Sequence, residues 1–256
     1  MDIYKIKCYW DAYIYNEQET ESDDVEFLRS VIGLTPKRIL EVACGTGRIL
    51  VPLVKDGHDV TGFDCSKEML LFLSEKLQDL NGKFYQADAV TADWGKDFDV
   101  IVEAGNLLLN IISKDNCINV QKLFFAKAVG ALKPKGYLYL DFNLSRNPEK
   151  FFCNNCKRVV FEGYDDHGVH GVYTILSSWF HKETQLLHVE NETVLTLPTG
   201  EKYCIRGTRC KHIPTLEQIH AWLDEVGFAV EEEYGDYNMN PISEKTCRCV
   251  ILARKK

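Results

Sequence analysis

The sequence predicts an α/β fold: a doubly wound, mostly parallel sheet that carries an inserted antiparallel β-sheet. Three observations lead there. The apolar run Ile39, Leu40, Val42 and Ala43 breaks into the glycine pair Gly45 and Gly47, and a helical pattern resumes at Ile49 and Leu50. Strand-like and helix-like segments then alternate as far as Phe142. From about Lys157 to His212 that alternation gives way to long β-rich stretches.

The first strand suits a buried parallel position, and the two glycines allow a tight turn whose backbone can approach a ligand closely. A nucleotide or nucleoside is the expected ligand. A dinucleotide-binding turn also has Gly-x-Gly after a strand, but it requires a third small residue where helix meets sheet, and Leu50 stands there. Glu41, near the strand end, repels phosphate and attracts an ammonium. Both residues count against a nicotinamide-dependent oxidoreductase.

Asp59 to Asp64 reads as the second strand, and its terminal carboxylate can accept both hydroxyls of a ribose. In this reading Asp64 has no core role. Ser66 is a good N-cap, Glu68 sits in the first turn, and Met69, Leu70, Leu73 and Leu77 give an apolar pattern that closes at Asn81-Gly82. Lys83 to Ala89 is a third strand, with Asp88 at its end and Asp93, Asp97 and Asp99 as turn residues beyond it. Phe98 to Asn106 is the fourth, apolar and then abruptly polar where a parallel sheet opens its crevice. Lys133-Pro-Lys-Gly136 turns into a fifth strand, Tyr137 to Phe142.

The β-rich stretches that follow are Arg158 to Phe161, Gly171 to Phe180, Leu186 to Leu197 and Glu201 to Arg206, separated by turn chemistry at Asp165-Asp-His-Gly, Lys182-Glu-Thr-Gln and Pro198-Thr-Gly. They form the insertion. Thr215 and Gln218 make a capping box for a helix whose apolar face is Ile219, Trp222, Leu223 and Val226, and Gly227 ends it. Phe228 to Glu231 and Cys249 to Ala253 supply two more strands, seven in all.

The 256 residues, 45% of them hydrophobic, can bury a sizeable core in one elaborated domain. A net charge of -8 leaves no nucleic-acid footprint at the level of the whole chain. No signal peptide and no membrane-length apolar run is seen, so a cytoplasmic location is expected. Among ten cysteines, Cys153 with Cys156 and Cys247 with Cys249 could bring four thiolates together, but the second pair is too tightly spaced for a zinc knuckle. Free thiols and no metal are expected.

Glu41-Val-Ala-Cys-Gly-Thr-Gly47 resembles the first motif of the class I S-adenosylmethionine-dependent methyltransferases, and Asp64, Asp88 and the polar end of the fourth strand follow in that family's order. The resemblance implies a Rossmann-like sheet and S-adenosylmethionine as cofactor. It places Glu41, Ala43, Cys44, Gly45, Thr46 and Gly47, with Arg48 behind them, around the methionine part. Arg48 could hold a carboxylate of cofactor or substrate, or equally form a surface ion pair. Asp64, with Cys65 and Met69, is placed at the ribose, Asp88 and Ala89 at the adenine, and Glu103, Ala104 and Asn106 at the methionyl end.

The late insertion followed by a helix resembles the small-molecule branch of that family, including glycine-type and amino-sugar N-methyltransferases. It implies three parts: residues 1–145 as N-terminal lid segment and cofactor-binding core, 146–212 as an inserted lid over the cofactor cleft, and 213–256 completing the core with a strand hairpin. The acceptor is then a small soluble molecule, an amine or a hydroxyl, with neither nucleic acid nor membrane as partner; a homodimer is left open. The alternatives are methylation of a larger acceptor such as tRNA, and a non-catalytic S-adenosylmethionine-binding partner or sensor.

Methyl transfer from a sulfonium is an in-line displacement of an already activated group, so the protein mainly positions the acceptor and excludes water. No residue type is thereby fixed as catalytic. The N-terminal segment with Tyr4, Tyr9, Trp10, Tyr13 and Tyr15 is the best lid candidate, because aromatic faces attract sulfonium and ammonium groups. The plainer alternative is that these rings only pack the N-terminus. Tyr13 is a candidate for cofactor contact and for catalysis; Arg209 is the other catalytic candidate and, with Tyr9, Trp10 and Trp179, a substrate candidate. His181, His188, Arg206 and His212 could face the cleft, although alternation sends half of such residues to solvent.

Overall fold

The computed structural model describes residues 2–152 and 157–256. The chain divides into two compact units, Glu21–Arg146 with Pro214–Lys256, and Met1–Thr20 with Asn147–Ile213. The N-terminal segment therefore groups with the insertion and not with the strand that follows it in sequence.

The larger unit is a seven-stranded sheet. Its strands are β1 (Arg38–Val42), β2 (Asp59–Asp64), β3 (Lys83–Gln86), β4 (Phe98–Glu103), β5 (Leu132–Asn143), β10 (Phe228–Tyr234) and β11 (Arg248–Lys255), in the order β10-β11-β5-β4-β1-β2-β3. Pairing is parallel from β5 to β3, and β11 runs antiparallel to both β5 and β10. Side chains alternate across a strand, so β1 feeds two cores. Leu40 and Val42 join Phe124 and Phe125 of α6 (Cys117–Ala131) and Trp222 of α8 (Leu216–Val226), whereas Ile39 joins Phe27 and Leu28 of α2 (Asp23–Ile32), Leu53 of α3 (Leu50–Lys55) and Leu73 of α4 (Lys67–Lys76).

Local signals place the start of α4 and both ends of α8 where the sequence has them, whereas α4 ends at Lys76, short of Asn81-Gly82. The Ser66 side chain accepts from the Met69 N–H, Thr215 and Gln218 close a reciprocal capping box, and Gly227 takes a left-handed conformation after α8.

Of the first five strands, four differ from the sequence expectation. β1 stops at Val42, because Ala43 turns to φ +57 and Cys44 donates its N–H across to the Phe63 carbonyl. β3 stops at Gln86, and no helix joins it to β4. Asp88 Oδ1 accepts the N–H groups of Val90 and Thr91, and Trp94 Nε1–H reaches the Ala89 carbonyl, so the chain returns by turns. β4 ends at Glu103, with Gly105 and Asn106 both left-handed before the single turn α5 (Leu107–Asn110). β5 begins at Leu132, its pairing with β4 shifting between Phe98 and Val100.

The smaller unit contains α1 (Ile3–Gln18), α7 (Pro148–Phe152) and a four-stranded antiparallel meander: β6 (Arg158–Tyr164), β7 (His170–His181), β8 (Leu186–Thr196) and β9 (Lys202–His212). Trp10 of α1 packs on Gly171 of β7, where any Cβ would collide with the ring, and donates its Nε1–H to the Gly163 carbonyl at 3.1 Å. Ile14, Val169, Tyr173, Leu195 and Leu197 complete this core. Among the described residues no helix is long and apolar enough to cross a membrane.

Candidate active site

The glycine turn after β1 is built from left-handed residues: Ala43 at φ +57, Gly45 at +53 and Gly47 at +80. At Gly47 a side chain would also meet Leu73, so glycine is required twice over. The turn is braced from outside. Lys76 Nζ donates to the Thr46 carbonyl at 3.0 Å, and Asp64 Oδ2 accepts the Gly45 N–H at 3.0 Å.

Asp64 thus does more than end a strand. It is nearly buried, at 9% exposure, and its Oδ1 accepts the Ser66 N–H at 2.8 Å. The expectation that its carboxylate has no core role is overturned, because it ties the β1 turn to the β2 turn. Each carboxylate oxygen can still accept a second hydrogen bond, such as one from a hydroxyl.

Glu41 is buried, and among the described residues its Oε2 has no hydrogen-bond partner. Burial pushes its pKa up to about 8, with the negative charges of Asp24 and Asp64 adding to the rise and Arg48 opposing it. A buried carboxyl oxygen lacking a donor fits a cationic N–H donor such as the ammonium of S-adenosylmethionine. Arg48 is engaged elsewhere. Its Nη1 and Nη2 each donate to Asp24 at 2.5 Å, and Nη1 also reaches the Glu21 carbonyl, so the carboxylate it grips is the protein's own.

At the end of β4, Glu103 is wholly buried and its side chain accepts the Leu108 N–H at 2.5 Å. Burial raises its pKa. Asn106 is tied by its Oδ1, which accepts the Asn143 N–H, while Ala104 is half-buried. Asp88 is exposed, and the turn N–H bonds to its Oδ1 lower its pKa; among the described residues its Oδ2 has no hydrogen-bond partner. Ala89 and Met69 are half-buried and Cys65 is exposed, with burial and then Asp64 raising the Cys65 thiol. Cys44 is buried and its thiol raised for the same two reasons, with Glu41 added.

In the smaller unit, Trp10 is 1% exposed and spends its ring in packing, which withdraws it as a substrate contact. Tyr9 donates to Asp166, and half-buried Tyr13 packs against the Trp10 core. Trp179 is 42% exposed and lies parallel to His188, ring centroids 5.1 Å apart, with Cys210 beside His188 in the next strand. Arg209 stacks on Tyr173. The register puts Trp179, His188 and Cys210 in one row and Arg209 in the adjacent one, so alternation sends Trp179 and Arg209 to opposite faces of the sheet. They do not form one pocket. Arg206 pairs with Glu192, His181 contacts Thr184, and His212 is buried.

Cys247 and Cys249 form no disulfide, nor does any other described cysteine; Cys153 and Cys156 lie outside the described residues. Asp165, Asp166 and His167 approach one another closely enough to hold an ion, but turn hydrogen bonds to Asp165 from the His167 and Val169 N–H groups account for the arrangement.

Sequence reasoning passed over Asp141, whose signal was an acidic residue within the apolar run Tyr-Leu-Tyr-Leu-Asp-Phe. It is fully buried and held by Arg248 and by the Tyr237 hydroxyl, both at 2.9 Å. Asp24 was missed as well, and nothing local marks it.

Residues 39–136, from β1 into β5, match the family described as "Methyltransferase domain". The chain is a class I S-adenosylmethionine-dependent methyltransferase. A methyltransferase-named protein of Geobacillus sp. is 26% identical to this methyltransferase over 226 residues, 86% of this chain and 85% of that one. A glycine/sarcosine N-methyltransferase of Halorhodospira halochloris is 24% identical over 89% of this chain and 79% of its own. A sugar N-methyltransferase from a Streptoalloteichus species shares the fold of the methyltransferase, with a TM-score of 0.71 at 20% identity, covering 94% of this chain and 91% of that one. S-adenosylmethionine is the methyl donor and supplies an activated methyl group on sulfur.

Proposed function

We propose that this methyltransferase N-methylates a small soluble amine. The observation that carries this reading is the likeness to the Halorhodospira enzyme: at 89% coverage too little of the chain is left over to omit the inserted sheet, the part that a cofactor site alone does not need. That enzyme's name gives glycine and sarcosine, and the Streptoalloteichus structure is that of a sugar N-methyltransferase. Both are amine methylations. The net charge of -8 weighs against an RNA acceptor.

In this reading Glu41, Asp64 and Asp88 engage the ammonium, ribose and adenine of the donor, and the loop Ala104 to Asn106 supports its methionyl end. α1 and the inserted sheet bind the acceptor, with Tyr13 and Arg209 as the residues to test. The protein's work is to hold a neutral amine in line with the methyl group and keep water away. The test is a panel of glycine, sarcosine, amino sugars and matched hydroxyl compounds, reading S-adenosylhomocysteine release and the methylated product by mass spectrometry. Turnover of an amine is expected. Turnover confined to hydroxyl compounds or to tRNA overturns the reading.

A further inference from the structure

We infer that Glu103 is a positioning residue for the methyl donor, its buried carboxyl fixing the loop that carries Gly105 and Asn106. The inference rests on the reading that this loop supports the methionyl end of the cofactor. Gly105 and Asn106 stand at φ +67 and +68, a consecutive left-handed pair that glycine adopts freely and asparagine tolerates. Asn106 is also the N-cap of α5, but its side chain makes no capping bond, because its Oδ1 is taken by the Asn143 N–H. The first N–H groups of a helix need acceptors from elsewhere.

Glu103 fills that role from the strand. Its Oε1 accepts the Leu108 N–H at 2.5 Å, and Gln121 Nε2 holds the Leu108 carbonyl from the other side at 2.8 Å. Leu108 is thereby held at both its N–H and its carbonyl, and the chain between Glu103 and Leu108 is closed into a ring. The cost is visible. Glu103 is 0% exposed, its Oε2 has no hydrogen-bond partner among the described residues, and it lies close enough to Asp141 to feel that charge. For the fold alone a leucine would be cheaper here, since burying a carboxyl with one unmade bond is unfavourable. Shape in the loop is what the carboxyl supplies.

The test compares Glu103→Gln, which keeps an acceptor oxygen, with Glu103→Leu, which removes it. Calorimetry would measure S-adenosylhomocysteine, which has the methionyl end, and 5'-methylthioadenosine, which lacks it. Glu103→Leu should weaken S-adenosylhomocysteine by about tenfold and methylthioadenosine by less than about threefold, while Glu103→Gln stays within about threefold for both. In the wild-type protein the Leu108 amide should exchange slowly with deuterium, a readout that survives if the leucine variant does not fold. A folded Glu103→Leu that binds S-adenosylhomocysteine like wild type, a Glu103→Gln as weak as the leucine variant, or a fast-exchanging Leu108 amide overturns the positioning role. Equal loss of both ligands instead overturns the methionyl reading of the loop.

Discussion

Arg48 and Asp24 meet through two parallel hydrogen bonds of 2.5 Å, joining the residue just behind the glycine turn to the first turn of α2. The pair is mostly buried, at 24% and 8% side-chain exposure, and the Glu21 carbonyl adds a third bond. A bidentate guanidinium–carboxylate contact fixes direction as well as distance.

Removing one partner strands a charge. Asp24→Ala should therefore destabilise the protein by about 2–4 kcal/mol, whereas the double change Arg48→Met with Asp24→Leu should recover much of that loss because both charges go together. Urea unfolding of the three proteins decides it. Equal stability of wild type and Asp24→Ala would show the pair to be ornamental.

Asp64 joins the two loops that the cofactor motifs occupy, so its substitution should act twice. Asp64→Ala should lower affinity for S-adenosylhomocysteine by about 1.5–3 kcal/mol and, by orphaning the Gly45 and Ser66 N–H groups, lower stability by about 1–3 kcal/mol. Calorimetry and urea unfolding separate the two effects. Unchanged affinity in a folded variant would leave Asp64 a purely structural brace.

What the sequence made legible was local. Ser66, the Thr215–Gln218 box and Gly227 announce their helices within four residues, and the β-rich insertion is marked by turn residues at regular intervals. The glycine turn after β1 is legible for the same reason, since its acid and glycines are contiguous. What was hidden depends on partners distant in the chain. Arg48 reads equally as an anion anchor or as half of an ion pair until Asp24 is found against it, and Trp10 as a lid or a packing residue until Gly171 is found beneath it. The return between β3 and β4 is partly legible, because Asp93 and Asp97 read as turn residues, while the bonds of Asp88 and Trp94 that complete it do not show in the sequence.

Gly45 and Gly47 should respond differently to alanine although both are left-handed. At Gly45 a Cβ meets nothing within 4 Å, so Gly45→Ala should cost about 1 kcal/mol of backbone strain. Gly47→Ala adds a collision with Leu73 and should cost about 2–4 kcal/mol. Equal thermal stability of the two variants would show that Leu73 yields freely.

The sulfonium donor and its demethylated product both carry an ammonium, and Glu41 is the buried acid whose state should report it. With its pKa near 8 in the ligand-free protein, Glu41 is mostly protonated at pH 7. An ammonium beside it favours the charged form, so binding should release up to about one proton near pH 7, and affinity for S-adenosylhomocysteine should rise with pH until about pH 8. The stability linkage has the opposite sense. A carboxyl raised in the folded state stabilises the ligand-free protein at low pH, and that contribution is lost as pH climbs from the ordinary carboxylate range through about 8. Glu103 is also raised, so ligand-free stability alone does not single out Glu41. Calorimetry at pH 7 in buffers of different ionisation enthalpy isolates the binding term, and Glu41→Gln should abolish both the proton release and the pH dependence. Proton release that persists in Glu41→Gln would assign the titration to another group and place the ammonium away from Glu41.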